Sequence, residues 1–95
     1  MSETPYQLFL ANEGGFLAVE LPDGKTALPY IALREIKHHP KPERLVLEFA
    51  DKNIEVHGAK LTELFELLAT MKVKKINVGE TKSGCKIANI KLLEG

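Results

Sequence analysis

Three histidines and one cysteine, His38, His39, His57 and Cys85, are the side chains of this chain with the widest chemical range. Imidazole nitrogen and thiolate sulfur are ligands that zinc prefers, yet none of the usual zinc spacings is present. His38 and His39 are adjacent, and neighbours on an extended chain point to opposite sides. They are therefore expected as loop and strand-face residues, with no metal and no other cofactor. His57 lies in an alternating segment, where Glu48 across a hairpin would make it a modest pH sensor. Cys85 stands among lysines, and nearby cations favour the thiolate. A nucleophile also needs a positioned base and an oxyanion site, and His57 is the one candidate base on a regular element. A half-buried strand cysteine is the expectation.

Gly79-Glu80-Thr81-Lys82-Ser83-Gly84-Cys85-Lys86 nearly spells a phosphate-binding loop. One residue intrudes between Gly84 and Lys86, and Ile87 stands where a magnesium-binding hydroxyl belongs. The residues that follow alternate as a strand, whereas the mechanism needs a helix N-terminus aimed at the phosphates. An ordinary hairpin turn is expected instead. Lys72, Lys74, Lys75, Lys82, Lys86 and Lys91 fall within a twenty-residue span that holds one acid, Glu80. Of these, Lys74, Lys75, Lys82, Lys86 and Lys91 are the candidates for a phosphate-binding patch. The span has no arginine and no aromatic ring, so neither forked base contacts nor stacking is available. It supports weak, sequence-indifferent nucleic-acid binding as an alternative function. The plainer reading is a solvated lysine edge that discourages strand pairing.

The apolar pattern defines the elements that must position these residues. Leu45, Leu47 and Phe49 alternate with more polar neighbours, and Ile54 and Val56 do so again after Asp51-Lys52-Asn53, as in a hairpin. A four-residue loop, Ala50 to Asn53, sets Leu47 opposite Val56 and Phe49 opposite Ile54, but places Glu48 against Glu55. A two-residue loop at Lys52-Asn53 would set Glu48 against His57, and asks lysine for a positive φ. Burial favours the longer loop. From Leu61 the spacing changes to Leu64, Phe65, Leu68 and Met71, one face of a helix over about 59–72 with Gly58 as its N-cap.

Upstream, Tyr6–Ala11, Phe16–Leu21 and a strand beginning at Thr26 suggest a three-stranded meander, with turns at Asn12–Gly15 and Pro22–Gly24. Pro29 marks a kink before a further strand, and the two prolines of His38–Pro42 place a loop there. Val73, Ile76 and Val78 begin another strand. The last strand, Cys85 to Leu93, divides its apolar residues between two faces: Ala88, Ile90 and Leu92 on one, Cys85, Ile87 and Leu93 on the other.

Ninety-five residues fit one domain, spanning 1–95, because two cores could not both be filled from so short a chain. The predicted fold class is α+β. A strongly bent antiparallel sheet, or a small partly open β-barrel, of about six to seven strands carries one amphipathic helix inserted before the last two. Thirteen basic and thirteen acidic residues cancel, so no global field draws the chain to nucleic acid or anionic membrane. A single cysteine excludes an internal disulfide and suits a reducing cytoplasm. No signal-peptide pattern opens the chain, and no apolar run nears the ~20 residues that span a bilayer.

With no catalytic constellation, the expected function is a non-catalytic binding or assembly module, a homo-oligomer or a partner for another protein. A regulatory subunit, or an enzyme of unrecognised type, is the remaining alternative. Leu67 and Met71, on a wide helix stripe, form the candidate partner surface together with Ile87 and Leu93 on the second face of the last strand.

Overall fold

The computed structural model describes residues 4–10 and 14–94. Nine strands and one α-helix follow one another as β1 (Tyr6–Leu8), β2 (Phe16–Leu21), β3 (Gly24–Pro29), β4 (Leu33–Pro40), β5 (Glu43–Phe49), β6 (Lys52–Ala59), α1 (Thr62–Ala69), β7 (Val73–Ile76), β8 (Gly79–Glu80) and β9 (Lys86–Glu94). A single 3-10 turn, Tyr30–Ala32, joins β3 to β4 after the expected kink at Pro29. The fold is α+β, but the strands form two sheets and no closed barrel. A four-stranded sheet runs β1-β7-β2-β3, and a five-stranded sheet runs β4-β5-β6-β9-β8. Every pairing is antiparallel except β2 with β7. Thus β2 and β3 make the predicted hairpin, whereas β1 is separated from β2 by β7, and the expected meander is not formed. Asn12 and Glu13 of its first turn lie outside the described residues.

One continuous core joins the sheets. Leu17 and Val19 of β2, Leu45 and Leu47 of β5, Ile54 and Val56 of β6, and Leu61, Leu64 and Leu68 from the helix region are all fully buried. Tyr30 crosses it, donating its hydroxyl hydrogen bond to the Val73 carbonyl. Burial pushes that phenol up to about 12, so it stays a neutral donor at any ordinary pH. Among the described residues no helix is long and apolar enough to cross a membrane.

Three β-bulges decide which residues reach this core. Arg34 in β4, Lys74 in β7 and Ala88 in β9 are each the extra residue where the register slips by one. A bulge resets the two-residue alternation, so apolar residues three apart both face inward. Leu33 and Ile36, Val73 and Ile76, and Ile87 and Ile90 behave in this way. Strict alternation put Ile87 and Ile90 on opposite faces of the last strand. Instead both are buried and Ala88 is exposed. Gly58, opposite this bulge, is there for closeness: a Cβ at that position would lie 1.8 Å from the Lys86 carbonyl oxygen.

The β5–β6 hairpin takes neither predicted register. It turns at Ala50-Asp51, which sets Leu47 opposite Ile54, Leu45 opposite Val56, Glu48 opposite Asn53 and Arg44 opposite His57. Apolar residues still face apolar residues, and Glu48 no longer meets Glu55. The like-charge neighbour is Glu35 of β4, offset by Lys37, whose Nζ lies 2.8 Å from Glu48. Nor does the chain loop at His38: β4 continues to Pro40, the last residue of an edge strand, where a missing donor is harmless.

The helix is shorter than 59–72, and its ends show why. Gly58 cannot cap it, because β6 remains paired with β9 through Ala59. Lys60 then turns with φ 53°. The capping group comes from β5: Lys60 N–H donates to Glu43 Oε1 and Leu61 N–H to Oε2, each at 2.8 Å. At the other end Lys72 N–H donates to the Leu67 carbonyl and Met71 N–H to that of Leu68, a Schellman closure. Met71 occupies the left-handed position, φ 57°, where glycine is usual.

Candidate functional site

The feature with the clearest binding geometry is a groove of roughly 330 Å³ beside β4, lined by Tyr30, Leu33, Ile36, Phe65, Leu68 and Met71, with Arg34 and Glu35 at its rim. β4 supplies one wall because it is the end strand of its sheet, paired among the described residues with β5 alone. Helix α1 supplies the other. Phe65 is half-buried and its ring lies 6.2 Å from that of His38, while Met71 at the helix end is 59% exposed. Ile31, on the adjoining 3-10 turn, is 94% exposed. An isolated exposed isoleucine is ordinary; one next to an apolar groove and an open strand edge enlarges a sticky surface.

Of the predicted partner-surface residues, Met71 lines this groove. Leu67 is half-buried against the core. Leu93, 39% exposed, lies with Leu21, Pro22 and Leu92 on a separate open groove of roughly 620 Å³. Ile87 is fully buried and is no part of any surface, because the Ala88 bulge turns it inward. The four residues therefore do not form one patch.

The lysines are dispersed as well. Lys74 and Lys75 belong to the four-stranded sheet, Lys82 to the turn after β8, and Lys86 and Lys91 to β9 of the other sheet. Lys75 Nζ is 3.3 Å from Glu20, and Lys91 stands opposite Glu55. Closeness in sequence is not membership of one sheet here, because the strands involved belong to two different sheets.

Cys85 is 2% exposed. Burial, and then the charges of Glu63 and Glu43, push its thiol above the ordinary range. Its sequence neighbours suggested the reverse. The loop before it is a hairpin turn held by Thr81, whose backbone N–H donates to the Cys85 carbonyl and whose hydroxyl accepts from the Cys85 N–H. His38 pairs with Glu43 at 3.0 Å, and His57 pairs with Glu55 at 2.9 Å. The expected Glu48 partner of His57 lies opposite Asn53 instead, four residues along the strand. Among the described residues no three His, Cys, Asp or Glu side chains converge as a metal would need.

Sequence reasoning missed two polar residues. Glu43 serves the helix start from a distant strand, which no local capping pattern signals. Its carboxyl lies below the ordinary 4.5: burial raises it, and hydrogen bonds from Leu61, His38 and Lys60 more than offset that. Asn77, 5% exposed, donates through Nδ2 to the carbonyls of Thr4 and Val78 and fixes the start of the chain to the end of β7. No family model matches this chain, and no curated protein or solved structure matches it either.

Proposed function

We propose that the protein is a non-catalytic assembly module that pairs with a second copy of itself along the open edge of β4. The observation that carries this reading is the charge pattern of that edge. In an antiparallel pairing centred on Ile36, residue 35 of one copy faces residue 37 of the other. Glu35 then meets Lys37 twice, and the two Ile36 side chains meet at the twofold axis, where each lines the apolar groove. A twofold interface must be complementary to itself in this way, and opposite charges directly across a strand pair are favourable. Glu35 already faces Glu48 within its own sheet, so a second copy's lysine supplies charge that the isolated chain provides only once.

Met71 supports the same surface. A left-handed non-glycine residue costs about 1–2 kcal/mol, and an exposed methionine is a poor reason to bear that cost unless its side chain is used. Methionine adapts to irregular apolar partners. The test is concentration-dependent hydrogen exchange read with sedimentation equilibrium. A dimer at about 200 μM, well above a micromolar dissociation constant, with β4 amides protected only when concentrated, is the expected outcome. A monomer at that concentration would remove the reading.

A further inference from the structure

The outer face of the five-stranded sheet carries, at the end nearest the Lys41-Pro42 turn, a cross-strand row without a single acid. The register places His39 opposite Arg44, Arg44 opposite His57, and His57 opposite Asn89. Directly opposed residues share a face, so two imidazoles, a guanidinium and a carboxamide stand side by side. All four are half-buried, which limits the rotamers they lose on binding. Glu43 precedes Arg44 in sequence, but its carboxylate is engaged elsewhere, by Lys60, Leu61 and His38.

The next row along the strands reads Lys37, Val46, Glu55 and Lys91. Its one acid, Glu55, accepts from His57 Nε2 at 2.9 Å, so that carboxylate is engaged within the sheet. Arg44 donates from Nη1 to the Pro42 carbonyl at 3.2 Å, and most of its five N–H donors remain. The row beyond contains Glu35 and Glu48, roughly 14 Å from the first at the rise of an antiparallel strand. Apart from Glu55, which His57 engages, the area without acids is therefore short along the strands.

We propose that this row, centred on Arg44, binds the phosphate or pyrophosphate group of a small ligand. The guanidinium fork engages two oxyanion oxygens at once, and the His39 ring and the Asn89 carboxamide supply N–H donors on either side. A long polyanion is a poorer fit, because it would run onto Glu35 and Glu48. His39 belongs to β4, but the row runs inward across β5, β6 and β9, and the proposal does not depend on self-association.

The test is an NMR titration of the full chain with sodium pyrophosphate, at constant ionic strength so that screening does not change. The expected result is saturable shifts at His39, Arg44, His57 and Asn89, with inorganic phosphate moving the same resonances less. Arg44→Lys keeps the charge but loses the fork, and should weaken binding about tenfold. Asn89→Ala should weaken it about threefold, the loss of one modest hydrogen bond; it decides the matter if Arg44→Lys loses its dispersed spectrum. Shifts that fail to saturate, that centre on Lys74, Lys82 or Lys86, or that persist unchanged in the folded variants would overturn the proposal.

Discussion

Glu43 ties three parts of the chain together through one carboxylate. It begins β5, accepts both N–H groups at the approach to α1, and holds the His38 ring. Because its folded pKa is depressed, its contribution is complete above the ordinary carboxylate value near 4.5 and disappears as the pH falls through the lower folded value. Glu43→Gln should therefore destabilise the protein near pH 7, and the gap between the two proteins should narrow as the pH falls below the ordinary 4.5. Urea midpoints measured between pH 7 and pH 3 check this; a gap constant with pH contradicts the role. Gly58 is a steric matter. An alanine Cβ there would stand 1.8 Å from the Lys86 oxygen, so Gly58→Ala must reopen the β6–β9 bulge and should cost at least ~2 kcal/mol. A urea midpoint within error of wild type would show that the bulge relaxes freely.

At the scale of elements, the bulges explain what the sequence reading captured and what it missed. Strand identity was legible from alternation in β2, β5 and β6, and the helix from its change of period at Leu61. The faces of β9 were not, because alternation was extended through Ala88. In hindsight a signal existed. Leu33-Arg-Glu-Ile36, Val73-Lys-Lys-Ile76 and Ile87-Ala-Asn-Ile90 each place apolar residues three apart within a strand, a spacing that buries both ends only across a bulge. Ile87→Ala should consequently cost about 2–4 kcal/mol as a core truncation, while Leu93→Ala should stay within about 0.5 kcal/mol, as surface changes do. Equal effects in thermal denaturation would argue against the bulge. The helix boundaries were misjudged for a different reason: the start is capped by Glu43 from a distant strand, and the end is closed by a methionine where local rules look for glycine. Met71→Gly should raise stability by roughly 1 kcal/mol through relief of the left-handed strain. The same change should weaken self-association, since it removes a side chain from the groove. A stability gain with unchanged association would separate Met71 from the interface.

For the whole molecule, the arrangement of two sheets around one core leaves β4 as a long end strand beside an apolar groove. Long open edges invite pairing with another chain, and monomeric proteins usually blunt them with charge, bulges or proline. β4 has all three, in Arg34, Lys37 and Pro40, yet its charges are arranged so that a twofold mate meets opposite signs. Of the residues lining the groove, Met71 alone was among the expected partner-surface residues. The groove needs β4, the 3-10 turn and α1 together, and the open edge depends on a strand order that local patterns do not encode. The sheet membership of the lysines was not legible for the same reason, since their strands are divided between the two sheets.

The most direct test of assembly through this edge is a charge exchange followed by sedimentation equilibrium. Lys37→Glu leaves Glu35 facing a glutamate in the second copy, and should weaken the dimer about tenfold, the effect of roughly 1.4 kcal/mol. Adding Glu35→Lys restores opposite signs across the twofold axis and should recover most of the association. Recovery in the double variant is the result predicted by pairing centred on Ile36. Dimers equally weak in the single and double variants, or equally strong in all three proteins, would contradict it.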